Sequence, residues 1–240
     1  MDNLKESSLN LFFPKFCLGC QKEGTYLCGD CRALLEICEH NYCLCDKPSR
    51  LLSDKSVGKC RRCSDKKLSG LYFALPYKEN FLTKKLIRQF KYKPYLKNLA
   101  ETLAGILIEY FVIAGNNTNG IWENSLLVPV PLHQKKMRER GYNQSSELAK
   151  ELSKILQIPI ILDCLIKIKY TPPQMELSKI EREKNLQGAF AIKNPKEFSG
   201  KKIFLVDDVY TTGCTMAECT KILRSAGAKS VWGITIAREG

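Results

Sequence analysis

The stretch Ile203-Phe-Leu-Val-Asp-Asp-Val-Tyr-Thr-Thr-Gly-Cys-Thr215 decides the fold class of this chain. Four apolar residues lead directly into two acidic residues, and a turn rich in threonine and glycine follows. A short, fully apolar run bounded by turn residues is typical of a strand buried on both faces of a parallel sheet. Apolar residues at helical spacing over residues 217–226, with Gly227 behind them, predict a helix after the turn.

A turn of this composition can bind a phosphate group. Gly213 lets the backbone approach an anion closely, and the N–H groups and dipole at a helix N-terminus favour negative charge. Asp207 and Asp208 can accept hydrogen bonds from sugar hydroxyls or organise Mg²⁺. The stretch therefore predicts a nucleotide-sugar site, and the alternative is a generic strand–turn–helix with a capping threonine. The hydroxyl donors of this turn are those of Thr211, Thr212 and Thr215.

Strands and helices alternate over the rest of the C-terminal part of the chain. Apolar runs predict strands at residues 71–75, 126–130, 158–168 and 231–236, and helical spacing predicts helices at residues 82–90, 96–111 and 148–156. Residues 116–120 are expected to form a loop, and residues 170–186 a loop with a short helix. This alternation favours an α/β fold with a mainly parallel sheet, which binds ligands at the carboxyl ends of its strands.

The first 68 residues have a different character, because nine of the twelve cysteines lie in residues 17–63. The spacing Cys17-x2-Cys20-x7-Cys28-x2-Cys31 is typical of a structural Zn²⁺ site with four thiolates. A second site is predicted from Cys43, Cys45, Cys60 and Cys63, although Cys38 and His40 compete for two of its positions. Four thiolates leave no open coordination position, so the zinc is expected to be structural.

The chain is strongly basic, with 38 Lys and Arg against 25 Asp and Glu. Residues 51–100 hold 13 basic and three acidic groups, and such a concentrated positive charge attracts polyanions. Tyr92 and Phe90 beside these cations could stack on unpaired bases, although Phe90 could equally belong to the core. The alternative is a solvated basic face. The candidate DNA-contacting residues are Lys84, Lys85, Arg88 and Lys91.

The sequence favours a soluble, cytoplasmic protein. Its longest apolar run, residues 103–114, is shorter than the roughly 20 residues that a membrane-spanning helix needs. Residues 1–10 have no apolar segment typical of a secretory signal.

Several further motifs, taken in order, resemble those of the ComF family of competence proteins. They are Leu86-Ile-Arg-Gln-Phe-Lys-Tyr92, Val128-Pro-Val-Pro-Leu132 with the basic run after it, Gly141-Tyr-Asn-Gln144 and Thr171-Pro-Pro-Gln174. The resemblance spans residues 17–238. It implies a double zinc ribbon, here residues 1–68, on a type I phosphoribosyltransferase domain, here residues 69–240. The spacing Cys43-Leu-Cys45 departs from the two-residue spacer usual in the family.

The resemblance also implies roles for individual residues. Asp207 and Asp208 would contact the ribose hydroxyls of phosphoribosyl diphosphate (PRPP). Mg²⁺ would bind together with PRPP. The 5-phosphate would lie on Thr211, Thr212, Gly213, Cys214 and Thr215. Arg140 would reach the pyrophosphate group, and Gln174, Arg182 and Asn185 fall where a hood or lid would cover the ligand.

The family is associated with the uptake of single-stranded DNA on the cytoplasmic side of the inner membrane during natural transformation. Three functions follow as alternatives. In the first, the chain is a DNA-uptake factor that binds single-stranded DNA and PRPP, near the uptake machinery. In the second, it is an active phosphoribosyltransferase with an unidentified acceptor, in which Asp207 and Asp208 are catalytic. In the third, it is a zinc-stabilised adaptor with a vestigial phosphate loop.

Overall fold

The computed structural model describes residues 14–51, 58–78, 80–116, 119–171 and 179–239. The helices are α1 (Gly29–Ala33), α2 (Phe81–Lys91), α3 (Leu99–Ile113), α4 (Asn119–Trp122), α5 (Gln134–Arg140), α6 (Gln144–Leu156), α7 (Lys179–Leu186) and α8 (Cys214–Ser225). The strands are β1 (Gly70–Pro76), β2 (Ser125–Pro129), β3 (Leu165–Lys167), β4 (Phe190–Ile192), β5 (Lys202–Tyr210) and β6 (Ser230–Arg238). Two 3₁₀ turns cover Arg61–Cys63 and Pro195–Phe198.

Four strands form a parallel sheet in the order β1-β6-β5-β2, which confirms the predicted fold class. β5 lies in the middle, with Val206 opposite Ile234 of β6 and Leu205 opposite Val128 of β2. Its side chains alternate between two apolar clusters. Phe204 and Val206 pack with the cluster of α2, α3 and α6, and Leu205 packs with the cluster of α8. Both faces of the sheet are covered, which is why the strands read as continuous apolar runs.

Residues 158–168 do not form the single strand that their apolar content predicts. Residues 159–161 instead pair with the free edge of β2, where the Leu127 N–H bonds to the Pro159 carbonyl and the Ile161 N–H to the Leu127 carbonyl. A bend at Asp163 and Cys164 then separates this segment from β3, which pairs antiparallel with β4. The polar Asp163 interrupts the apolar run, so the segment divides between two sheets.

Three helices also differ from the sequence predictions. The basic run before Gly141 forms α5, although it has no apolar face, and it ends where Gly141 adopts a φ of 79°. α8 begins at Cys214, so its first turn lies in the phosphate loop itself. α4 begins at Asn119, inside the stretch expected to be a loop.

The cysteine-rich segment packs against the edge of the sheet at β1. Cys38 donates its N–H to the Ala74 carbonyl of β1 at 2.8 Å. Cys17 and Cys28 belong to the apolar cluster of α3, whereas Cys43 and Cys63 belong to the cluster on the other side of the sheet. The segment therefore covers an edge strand that would otherwise expose unpaired backbone groups. Among the described residues, no helix combines the length and hydropathy needed to cross a lipid bilayer.

Candidate functional site

Two neighbouring carboxylates lie near the carboxyl end of β5, at the edge where a parallel sheet binds ligands. The Asp207 carboxylate accepts hydrogen bonds from the Ser145 hydroxyl and from the Asp208 backbone N–H, both at 2.9 Å. The Asp208 carboxylate is 5% exposed and lies 3.0 Å from the Lys91 ammonium group. Ser145 is placed by the start of α6, and Lys91 by the last turn of α2.

Burial controls the charges of this acid pair. Desolvation and the adjacent Asp208 carboxylate raise the pKa of Asp207 to about 7. Burial disfavours the Lys91 ammonium, but the Asp208 and Asp207 carboxylates outweigh it and raise the pKa of Lys91 above its ordinary value. Lys91 therefore stays charged and offsets one of the two negative charges.

The loop after β5 brings a helix N-terminus next to this pair. Gly213 has a φ of 77° and is the N-cap of α8. A Cβ atom at this position would overlap the Tyr210 hydroxyl, so the residue is restricted both by its backbone and by its neighbour. The Thr212 hydroxyl donates to the Cys214 Sγ at 3.0 Å, and Thr211 and Thr215 are half-buried.

Cations from three elements interact electrostatically with the acid pair or with one another. Burial and the neighbouring Lys136 ammonium of α5 lower the pKa of Lys167 on β3 to about 8. Burial, with Arg140 and Lys91 nearby, lowers the pKa of Lys136. The guanidinium of Arg140 lies 5.7 Å from the centre of the Tyr92 ring. The site therefore has more positive than negative charge, because four cations stand against two carboxylates. The cations are Lys91, Lys136, Arg140 and Lys167.

The structure divides the residues expected to contact DNA. Lys84 and Arg88 are exposed on α2 and Lys85 is half-buried, whereas Lys91 is ion-paired with Asp208 inside the site. The Phe90 ring is fully buried, so of the two alternatives left open for this residue the structure supports the core. Its backbone carbonyl accepts a hydrogen bond from the Tyr142 hydroxyl at 2.5 Å.

The residues expected to cover the ligand show no contact with the acid pair in the part of the chain that the structure describes, and other site residues were missed. Gln174 lies outside the described residues, and Asn185 is half-buried on α7. Ser145, Lys136 and Lys167 are part of the site but were not identified from the sequence. Ser145 directly follows the Gly141-Tyr-Asn-Gln144 motif, which is the one signal that could have pointed to it.

The cysteines form two tetrads, one of Cys17, Cys20, Cys28 and Cys31 and the other of Cys43, Cys45, Cys60 and Cys63. The sulfur atoms of each tetrad lie within 4.8 Å of one another. Representative Sγ–Sγ distances are 3.5 Å for Cys20 and Cys28 and 3.8 Å for Cys60 and Cys63. A tetrahedral Zn–S bond of about 2.3 Å requires sulfurs about 3.8 Å apart. Both tetrads therefore fit Zn²⁺, and Cys38 and His40 belong to neither.

Arg238 connects the second tetrad to the sheet. Its guanidinium is buried and donates to the carbonyls of Cys43, at 2.7 Å, and Cys45. The same group lies 5.5 Å from the centre of the Phe73 ring and 5.4 Å from that of the Tyr210 ring. A tetrathiolate zinc site carries a net charge of −2, so a buried cation next to it is electrostatically favourable.

Comparison with known proteins agrees with this architecture. A family model described as a phosphoribosyl transferase domain matches residues 142–240. Competence protein F of Haemophilus influenzae is 33% identical over 235 residues, covering 94% of this chain and 93% of that protein. The chain belongs to the competence protein F family. The ComF resemblance noted in the sequence is thereby confirmed.

Other relatives of this ComF chain match over shorter regions. The DNA utilization protein YhgH of Escherichia coli is 34% identical over 146 residues, which cover 61% of this chain and 63% of that protein. A solved structure of glutamine phosphoribosylpyrophosphate amidotransferase from B. subtilis is 24% identical, with a TM-score of 0.35, and covers 57% of this chain and 25% of that one.

Proposed function

We propose that this ComF chain binds PRPP, or a related phosphorylated ribose, at the acid pair and acts in DNA uptake with single-stranded DNA as its partner. The names of its relatives, competence protein and DNA utilization protein, support a role in handling DNA. The proposed small-molecule site consists of Asp207, Asp208 and the loop over residues 211–215.

One observation carries the small-molecule part of this proposal. Two carboxylates lie near the end of an inner strand of the parallel sheet, shortly before a glycine-containing turn and a helix N-terminus. Carboxylates accept hydrogen bonds from a ribose diol, and the N–H groups of the first helical turn bind a phosphate. Lys91 is ion-paired with Asp208, and Lys136 and Lys167 add positive charge that the two carboxylates do not fully neutralise.

Different residues of the site would hold different parts of such a ligand. Asp207 and Asp208 would hold the diol, and Ser145 orients Asp207 through its 2.9 Å hydrogen bond. The Thr211 and Thr215 hydroxyls would donate to the 5-phosphate, and the Thr212 hydroxyl would do so on rotating away from the Cys214 Sγ. Mg²⁺ prefers oxygen ligands and phosphates, and it would supply charge neutralisation at the diphosphate group.

The test is isothermal titration calorimetry of the whole chain with PRPP and Mg²⁺. Asp208→Asn should weaken binding by about 10- to 150-fold, because a hydrogen bond to a charged group contributes about 1.5–3 kcal/mol. Glu123→Gln, a matched loss of one carboxylate charge at an exposed residue before β2, should leave affinity unchanged. Equal affinity of both variants would refute the assigned site. The failure of PRPP, ribose 5-phosphate and pyrophosphate to bind the wild type would favour the adaptor alternative.

A second candidate function is phosphoribosyl transfer, which a neighbouring cavity favours. A cavity of about 600 Å³ opens beside Lys167, between the segment after β2 and the paired strands β3 and β4. This cavity is large enough to hold an acceptor. In this reaction an acceptor nucleophile would form a bond to C1 of the ribose, while the C1–O bond to pyrophosphate breaks. Pyrophosphate release from PRPP with candidate acceptors would demonstrate turnover, and binding without release would leave a ligand-sensing role.

A further inference from the structure

A second basic region lies away from the acid pair, where the cysteine-rich segment meets α8. The cleft between them has a volume of about 440 Å³. Five cationic side chains and one serine line it, and no carboxylate lines it among the residues that the structure describes. The lining residues are Lys59, Lys66, Lys67, Lys221, Arg224 and Ser225.

Backbone carbonyls, rather than carboxylates, hold three of these cations in place. The Lys59 ammonium donates to the Ser64 carbonyl at 3.0 Å and to the Lys66 carbonyl at 2.9 Å. Lys66 donates to the Leu44 carbonyl, and Arg224 to the Ala228 carbonyl at 3.2 Å. Carbonyls orient these groups without cancelling their charge.

Little else neutralises the cleft. The carboxylate nearest to Lys66, that of Asp46, is 4.0 Å away and its side chain is 72% exposed, so it offsets little of the charge. Lys67 and Lys221 are exposed and have no hydrogen-bond or ion-pair partner within the described part of the chain. The cleft is thus an unneutralised positive surface with both fixed and adaptable donors.

We infer that this cleft binds the phosphate groups of a single-stranded nucleic-acid backbone. Five cations exceed the charge of a single phosphate, which is about −2 at most, whereas consecutive phosphodiesters each bring one negative charge. This inference rests on the DNA-binding part of the proposed function and specifies the surface that performs it.

The position of the cleft separates it from the sugar-phosphate site. Cys214 and Lys221 are seven residues apart on α8, and Arg224 lies ten residues from Cys214. At about 1.5 Å per residue, the cleft residues lie about 10–15 Å along the helix from the phosphate loop. A strand in the cleft therefore leaves the loop open, and the two ligands can bind at the same time.

Fluorescence anisotropy of a labelled single-stranded oligonucleotide, measured at several salt concentrations, tests this inference. Lys67→Gln/Lys221→Gln removes the two exposed cations without disturbing the carbonyl-bonded ones. The slope of log affinity against log salt is negative, and for single strands each lost phosphate contact reduces its magnitude by about 0.7. The double variant should therefore reduce the magnitude of the slope by about 1.4. The variant Lys84→Gln/Lys85→Gln tests the alternative DNA-binding surface on α2. The variant Lys184→Gln/Lys196→Gln is the control that removes the same amount of charge elsewhere.

The outcomes separate this inference from the proposed function. A loss of slope confined to the Lys67/Lys221 variant, with PRPP affinity unchanged by calorimetry, supports the cleft. A loss confined to the Lys84/Lys85 variant, or an equal loss in all three, overturns the cleft but keeps DNA binding. No binding of the oligonucleotide to the wild type refutes the DNA part of the proposed function itself. Titration with pyrophosphate tests for a small-anion site. If the Lys67/Lys221 variant weakens pyrophosphate binding but not oligonucleotide binding, the cleft binds small anions and is overturned as a strand-binding surface.

Discussion

At the scale of single residues, Gly213 gives the sharpest test of the phosphate loop. Its φ of 77° strains any L-residue, and a Cβ atom would overlap the Tyr210 ring. We expect Gly213→Ala to lower the free energy of unfolding by at least about 1 kcal/mol and to weaken PRPP binding, because either Tyr210 or the loop must move. Denaturant unfolding and calorimetry measure the two effects.

Gly115 provides a matched control for this substitution. Its φ is 70°, and a Cβ atom there meets no atom within 4 Å. Gly115→Ala should therefore cost a similar backbone strain while leaving PRPP affinity unchanged. If both variants lose stability equally and bind PRPP equally well, the loop is not the phosphate site.

Arg238 and Arg32 anchor the two halves of the cysteine-rich segment with different strength. Arg238 is 3% exposed and donates to the carbonyls of Cys43, which is buried, and Cys45, which is half-buried, so Arg238→Ala removes both bonds and should cost about 3 kcal/mol. Arg32 pairs with Glu109 of α3 at 2.7 Å, but both side chains are more than a third exposed. Arg32→Ala should therefore cost about 1 kcal/mol or less. Equal costs in thermal or denaturant unfolding would contradict this ranking.

At the scale of elements, the two tetrads should each hold one zinc ion. Elemental analysis of the purified chain is expected to find two zinc ions, and Cys20→Ser or Cys45→Ser should each remove one. Cys38→Ser, at a cysteine outside both tetrads, should keep both ions. Since four thiolates make such sites part of the folding energy, a chelator should raise the protease sensitivity of residues 1–68, the segment that we propose as the zinc module. Zinc loss without a change in proteolysis would contradict a structural role.

The sequence predicted the four strands of the parallel sheet, and the place of the two aspartates on one of them, because these are local patterns. β5 and its two aspartates follow from a run of neighbouring residues, and the cysteine pairs follow from short spacings. The partners of the acid pair could not be predicted in this way, since Lys91 is 117 residues from Asp208 and Ser145 is 62 from Asp207. Lys91 carried the same local signal as the exposed cations of α2, and only the docking of that helix separates them.

At the scale of the whole molecule, the second tetrad and the phosphate loop are connected through packed side chains. Arg238 binds the carbonyls of Cys43 and Cys45, its guanidinium lies 5.4 Å from the centre of the Tyr210 ring, and that ring fills the space next to Gly213. The first tetrad packs instead against the cluster of α3, on the other side of the sheet. Loss of the second zinc should therefore disturb the loop, whereas loss of the first should not.

Calorimetry with the two tetrad variants tests this connection. Cys45→Ser should weaken PRPP binding about fivefold, which corresponds to about 1 kcal/mol, because Arg238 loses its fixed carbonyl partners and no longer positions Tyr210. Cys20→Ser also loses one zinc ion but should bind PRPP as the wild type does, since its tetrad packs with the cluster of α3 whereas Tyr210 belongs to the cluster on the other side of the sheet. Equal weakening in both variants would mean that zinc acts on global stability, and no weakening in either would mean that the loop keeps its shape without the second tetrad.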